Sequence, residues 1–271
     1  MTVRLPAVAG RFYEGSPERL TAQIEACLAT NLPVARHDSF IAGAVPHAGL
    51  MYSGHVAAAF YSALKLPERF IILCPNHTGA GHFAAINSEG TWITPLGNVP
   101  VDADLARALM AETPLLVEDS SAHAQEHSLE VQLPFLQRLA GTFTFVPICL
   151  ASHRFEYAEE IGLAIARVIR KQSEPVAILA STDLNHYEEQ QTTLRKDQVA
   201  IDRILDLDPH GLWTSVAEHG ISMCGFIPTT TMLIAAKALG ASSATLLKHA
   251  TSGDINGDYS QVVGYAAVVV R

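Results

Sequence analysis

The sequence predicts an α/β fold: a layered sheet, mostly parallel or mixed, flanked by helices. Three observations predict it. Short apolar runs at 40–45, 70–74 and 142–150, and another from Val176, have the length and composition of strands buried on both faces. Segments with apolar residues three to four apart alternate with them, the spacing of one helical face. Three of the runs stop abruptly on residues that bind or catalyse: Pro46-His47, Pro75-Asn76-His77, and Asp183 with His186. Outside the carboxyl ends of its strands is where an α/β sheet gathers ligands.

In chain order, residues 1–20 mix apolar and turn residues without a period and suggest an ordered arm. Leu20, Ile24 and Leu28 place one helix over 17–28. After the first strand, Ser53 is in position to cap a helix whose apolar stripe is Val56, Phe60 and Leu64. The segment Thr91-Trp-Ile-Thr-Pro-Leu-Gly97 suggests a β ribbon, with a helix from Asp102. Residues 122–139 form a loop entering a helix, which Pro134 either kinks or begins. Beyond the strand at 142–150, Ala158, Ile161, Ile165 and Ile169 give a helix over 155–170 its inner face. Helices at 190–207, 209–219 and 227–239 follow the strand from Val176, and 244–249 and 261–270 close the sheet. With no repeat or linker in 271 residues, one domain spanning 1–271 is expected.

Composition narrows the function. Eighteen basic against 27 acidic residues give a net charge of −9 with no basic block, which argues against nucleic acid. Hydrophobic residues at 49% and charged ones at 17% suit a large core or a homo-oligomer with buried faces. Cys27, Cys74, Cys149 and Cys224 lie far apart without a C-x-x-C pair, so neither a disulfide framework nor a zinc ribbon is indicated and a reducing, cytoplasmic setting is expected. No signal peptide or membrane span is apparent.

If the strands ending at His47, His77 and Asp183 are parallel neighbours, His47, His77, Asp183 and His186 converge on one crevice. Two imidazoles and one anionic ligand form the pattern of non-heme Fe(II) chemistry, whereas four closed ligands would suit structural zinc. Asp183 is the hard candidate for the third ligand. Cys224 is the soft one, set before Gly225 at a helix start where the dipole favours a thiolate. His186 can serve as a general acid or base, with Asp183 fixing its tautomer. His127 and Glu130, three apart on a helix, share a face and could orient a ligand. Asp254-Ile-Asn-Gly-Asp258 lacks the spacing of a calcium loop and reads as a turn between strands. The remaining histidines, His37 among them, show no such pattern and are assigned to surface or core.

Taken together and in order, Pro46-His-Ala-Gly49, Pro75-Asn-His77, Glu126-His-Ser128, Ser181-Thr-Asp183 with His186, and Cys224-Gly225 resemble the MEMO family across nearly the whole chain. Ala9-Gly-Arg-Phe-Tyr13 and Gly264-Tyr-Ala-Ala267 fit as well. The resemblance implies a fold like that of the class III extradiol dioxygenases of the LigB type, which cleave catechols with Fe(II). It implies that His47 and His77 are metal ligands and that Cys224 stands where the dioxygenases carry a glutamate. It further implies that His186 matches their catalytic histidine and that His127 and Asp183 line the same pocket. A thiolate there favours softer ions, so Cu(I) and Zn(II) stand beside Fe(II) as expected cofactors. By the same resemblance the chain is prokaryotic and linked to AMMECR-type and radical-SAM proteins, with a small molecule or peptide in the pocket. Two alternatives to a redox enzyme are a non-catalytic peptide-binding or metal-carrying module, and a metal-free hydrolase with Cys224 as nucleophile and His186 or His127 as base.

Overall fold

The computed structural model describes residues 2–31 and 39–271; His37 lies outside them. The chain opens with β1 (Val3–Arg4) and α1 (Pro17–Ala29), enters the main sheet at β2 (Ala42–Val45) and crosses through α2 (Leu50–Ser62) to β3 (Arg69–Pro75). Three short strands follow, β4 (Ala84–Ile86), β5 (Thr91–Thr94) and β6 (Gly97–Pro100). Next come α3 (Ala103–Glu112), β7 (Val117–Glu118), α4 (Ser121–Ala124), a 3-10 turn (Glu130–Gln132), α5 (Leu133–Leu139) and β8 (Thr144–Leu150). The last third runs through α6 (Phe155–Ile169), β9 (Ala177–Ser181), β10 (His186–Glu188), α7 (Gln190–Leu205), α8 (Pro209–Glu218), α9 (Phe226–Ala238), β11 (Ala244–Thr251), α10 (Gly253–Asn256) and β12 (Val262–Val270).

Among the described residues the main sheet has nine strands in the order β10-β12-β2-β9-β3-β8-β4-β7, with β11 also on β12. Its centre, β2-β9-β3-β8, is parallel; β12 joins β2, and β4 joins β8, antiparallel. The sheet is therefore mixed around a parallel middle, as the uninterrupted apolar runs predict. Strand alternation divides the core in two. Ile71 and Leu73 face the layer of α6, α7, α8 and α9, whereas Phe70, Ile72 and Cys74 face α1, α2 and α5. The ribbon expected at 91–97 is the antiparallel β5–β6 pair, extended by β1 running parallel to β5.

The helix after the first strand begins earlier than its polar signal. α2 starts at Leu50 with Gly49 at its cap, and Ser53 lies inside it, donating to the Ala48 carbonyl at 2.9 Å. The start is set by docking, because the Leu50 amide donates to the Phe12 carbonyl at 2.7 Å. α2 packs so close on β2 that a Cβ at Gly43 would stand 2.1 Å from the Phe60 ring. Gly43→Ala is accordingly expected to cost about 3 kcal/mol, the upper range of overpacking, as read from its denaturant midpoint.

The N-terminal arm is ordered, and a buried carboxylate orders it. Glu130, on the 3-10 turn, pairs with Arg4, accepts from the Tyr13 hydroxyl, and takes the amides of Ala7 at 2.8 Å and Val8 at 3.1 Å. Arg4 also donates to the carbonyls of Glu126 at 2.7 Å and His123 at 3.2 Å. The segment 254–258, predicted as a turn between strands, is the single-turn α10 ended by Gly257 at φ +74°. Among the described residues no helix is long and apolar enough to cross a membrane.

Candidate metal centre

The parallel order β2-β9-β3 brings His47, Asp183 and His77 to one rim, because each follows the carboxyl end of its own strand. Cys224 arrives from the loop before α9. That loop comes close because residue 225 is glycine: a Cβ there would meet the Ser181 carbonyl oxygen at 2.5 Å and the Thr182 Cβ at 2.4 Å. One ligand atom from each of His47, His77 and Cys224 lies within 4.8 Å of the others. Cys224 Sγ is 3.2 Å from His47 Nε2. These groups sit at the floor of a cavity of about 750 Å³, whose walls include Phe12, Tyr52, His127, His186 and Tyr187.

Hydrogen-bond valence places a proton on Nδ1 of both imidazoles. Ser181 Oγ gives its only proton to the Ser128 carbonyl at 2.6 Å and accepts from Gln132 Nε2 at 2.8 Å. Its 2.9 Å contact with His47 Nδ1 therefore requires the proton on Nδ1, leaving the Nε2 lone pair bare beside Cys224. His77 Nδ1 lies 2.8 Å from Glu126 Oε1, a carboxylate that only accepts, so that ring carries its proton on Nδ1 and turns Nε2 toward the cluster. Each metal-ligand candidate thus has the outer partner that such histidines need.

Electrostatics favour the neutral forms of His47 and Cys224. Burial, reinforced by the charges of His127 and His77, pushes His47 well below the usual imidazole range. Burial and the neighbouring Asp183 push the Cys224 thiol well up, although the Asp183 amide donates to its sulfur at 3.3 Å. Burial alone would raise Glu126, but the hydrogen bond from His77 and those from Ser128 bring it down to about 2. His127 is lowered to about 4, burial outweighing the attraction of Glu126. Burial lifts Asp183 to about 6 against the amides that bind it.

Two expected relations between site residues differ in the structure, that of Asp183 to His186 and that of His127 to Glu130. Asp183 is outside the close donor cluster: its Oδ1 accepts from the amides of His47 at 2.8 Å and Ala48 at 3.3 Å. Nor does it fix the tautomer of His186, whose Nδ1 is held by the Ser222 carbonyl at 2.9 Å. His186 lines the cavity with its ring edge against Tyr187. His127 and Glu130 do not share a helical face. His127 is in the loop before the 3-10 turn, facing the cavity and packed on Phe12, whereas Glu130 is fully buried with the N-terminal arm and is not among the cavity's lining residues. The i, i+3 argument fails because the helix begins only after them.

Sequence reasoning passed over Glu126, Ser128, Ser181 and Gln132, which orient the two imidazoles. The first three stand within quoted motifs, yet only the sheet register places Ser181 beneath His47. Glu126 also approaches His127 Nδ1 at 3.4 Å, and His77, Glu126 and His127 form a second close group.

The donor set fits a transition ion: two imidazoles, each with Nδ1 committed to an outer partner and Nε2 free to coordinate, and one sulfur, open on one side to the cavity. The fold is shared at low identity with the uncharacterized protein JW3007 of Escherichia coli K12, at TM-score 0.54 and 13% identity over 85% of this chain and all of that one. Over almost its full length the chain is 46% identical to a MEMO1 family protein of Methanopyrus kandleri, the alignment covering 99% of each. A MEMO1 family protein of Sulfolobus acidocaldarius is 44% identical over 98% of each chain. One of Methanosarcina mazei is 42% identical over the whole of both chains. The family model described as "Memo-like protein" matches residues 4–269, and on that match and these relatives the chain belongs to the Memo-like family.

Proposed function

We propose that the chain binds one transition-metal ion, Fe(II) foremost, through His47, His77 and Cys224, and acts on a small molecule held in the adjoining cavity. The observation that supports this is the convergence of two imidazoles and the Cys224 sulfur, each with its outer partner in place. The bound ion would supply Lewis acidity and, as iron, access to oxygen chemistry of the kind the extradiol resemblance suggests. His186, with Nδ1 committed to Ser222, presents Nε2 as a base or, once protonated, an acid. The thiol makes Cu(I) and Zn(II) the competing ions. The metal-free hydrolase is the weaker reading, since burial drives the Cys224 thiol away from the thiolate a nucleophile requires.

Anaerobic titration with Fe(II), with Cu(I) and Zn(II) as competitors, tests the proposal. The raised Cys224 thiol is protonated at neutral pH, and His47, lowered by burial, is already neutral. Coordination by Cys224 is therefore expected to release about one proton from the thiol, and affinity to rise roughly tenfold per pH unit below the thiol's pKa. Proton release measured in buffers of different ionisation enthalpy checks the count. An ion bound without it would remove Cys224 from the ligand set.

A further inference from the structure

We propose that the buried Asp197–His249 pair is a positioning device for His186, acting through Asn185 and Ser222. The proposal rests on the reading of His186 as the cavity's acid–base group and identifies what holds it.

Asp197 lies on α7 and is fully buried. Its Oδ2 is 2.8 Å from His249 Nε2 on β11, and its Oδ1 accepts from the Asn185 amide at 2.9 Å. The fold leaves room for this carboxylate: a Cβ at Gly264 would stand 1.9 Å from Asp197 Oδ2. Gly264 in turn donates to the Asn185 carbonyl at 2.9 Å and accepts from Leu184 at 2.8 Å, so one glycine of β12 seats both the carboxylate and the loop. Asn185 passes the placement on. Its Oδ1 accepts from Ser222 N at 3.1 Å and from Ser222 Oγ at 3.0 Å. Ser222 Oγ accepts from the His186 amide at 2.7 Å, and the Ser222 carbonyl takes His186 Nδ1 at 2.9 Å.

A carbonyl only accepts, so this last bond requires the proton on Nδ1 and leaves Nε2 as the free nitrogen. Ser222 is exposed, and its placement depends on the asparagine behind it. The backbone also needs holding. Tyr187, next to His186, sits at φ +59°, a left-handed conformation that costs a tyrosine energy and persists where the surroundings over-determine it. The polar chain His249–Asp197–Asn185–Ser222 supplies that determination and ends on the ring nitrogen that selects the tautomer.

The test is the tautomer of His186, read by long-range ¹H–¹⁵N NMR on the full metal-free chain in mildly alkaline buffer. The Nδ1–H form is expected to dominate in the wild type. Asp197→Asn and His249→Phe are each expected to raise the Nε2–H fraction about fivefold, the shift that loss of one neutral hydrogen bond gives. His249→Gln, which keeps a donor to the carboxylate, is expected to restore the wild-type ratio. Ser222→Ala removes the hydroxyl that bridges Asn185 Oδ1 and the His186 amide, without touching the buried carboxylate, and is expected to shift the ratio in the same direction, so the test survives if Asp197→Asn does not fold. Wild-type ratios in folded His249→Phe and Ser222→Ala would overturn the proposal. Because the readout needs neither metal nor turnover, a failure to bind Fe(II) would leave it standing.

Discussion

Cys224→Ser is expected to lower Fe(II) affinity by roughly a hundredfold or more, beyond the ten- to hundredfold that loss of an outer-shell partner costs. Serine keeps nearly the volume of cysteine, so the stability of the metal-free chain is expected to change little. The sulfur is also the soft member of the donor set, so the variant is expected to lose more affinity for Cu(I) than for Zn(II). The outer partners give a graded control. Glu126→Gln keeps a hydrogen-bonding group beside His77 Nδ1 but replaces the carboxylate that accepts from it, the Ser128 amide and the Ser128 hydroxyl. Its effect on Fe(II) binding is expected within that ten- to hundredfold range. Equilibrium titration of the three proteins under anaerobic conditions decides the order, and equal affinity in wild type and Cys224→Ser would remove the sulfur from the site.

Glu130→Ala is expected to destabilise the fold by about 3–5 kcal/mol, because it leaves the Arg4 guanidinium buried without its partner. Arg4 is 8% exposed and Glu130 not at all, and the same carboxylate holds the Ala7 and Val8 amides and the Tyr13 hydroxyl. The consequence reaches the cavity. Phe12, on the arm that Glu130 anchors, packs on His127 with ring centroids 4.7 Å apart and gives its carbonyl to the first amide of α2. Denaturant unfolding of Glu130→Ala and Arg4→Met separates the terms. The double variant is expected to recover part of the loss, since it no longer buries an unpaired charge. Full additivity would show that the two residues do not act as a pair.

The two residues illustrate what a linear pattern conveys. Cys224 announces itself, as a cysteine before a glycine at the start of an apolar helical period, and Gly225 is what lets that helix start meet the end of β9. Glu130 is misleading in the same terms. Its spacing from His127 implies a shared helical face, but the intervening residues are not helical, and His127 lines the cavity while Glu130 binds the N-terminal arm. Asp183 has a part that its charge does not announce: one carboxylate oxygen accepts from the backbone amides of His47 and Ala48 while the other lies 3.9 Å from His47 Nε2.

The α/β class, most element positions, and the set of strand-end residues that carry chemistry are legible in the linear order of residues. Those features are local: period, strand length and the abrupt change from apolar to polar are written in neighbouring residues. Which of those residues meet depends on how the strands are ordered in the sheet. The β2-β9-β3 order, invisible in a chain where the strands come as β2, β3 and β9, is what sets Asp183 between the two histidines. The partners that choose each tautomer, Ser181 for His47, Glu126 for His77 and Ser222 for His186, lie 134, 49 and 36 residues away in sequence. Periodicity has no term for such contacts, because register and packing between distant segments follow from burying the whole core at once.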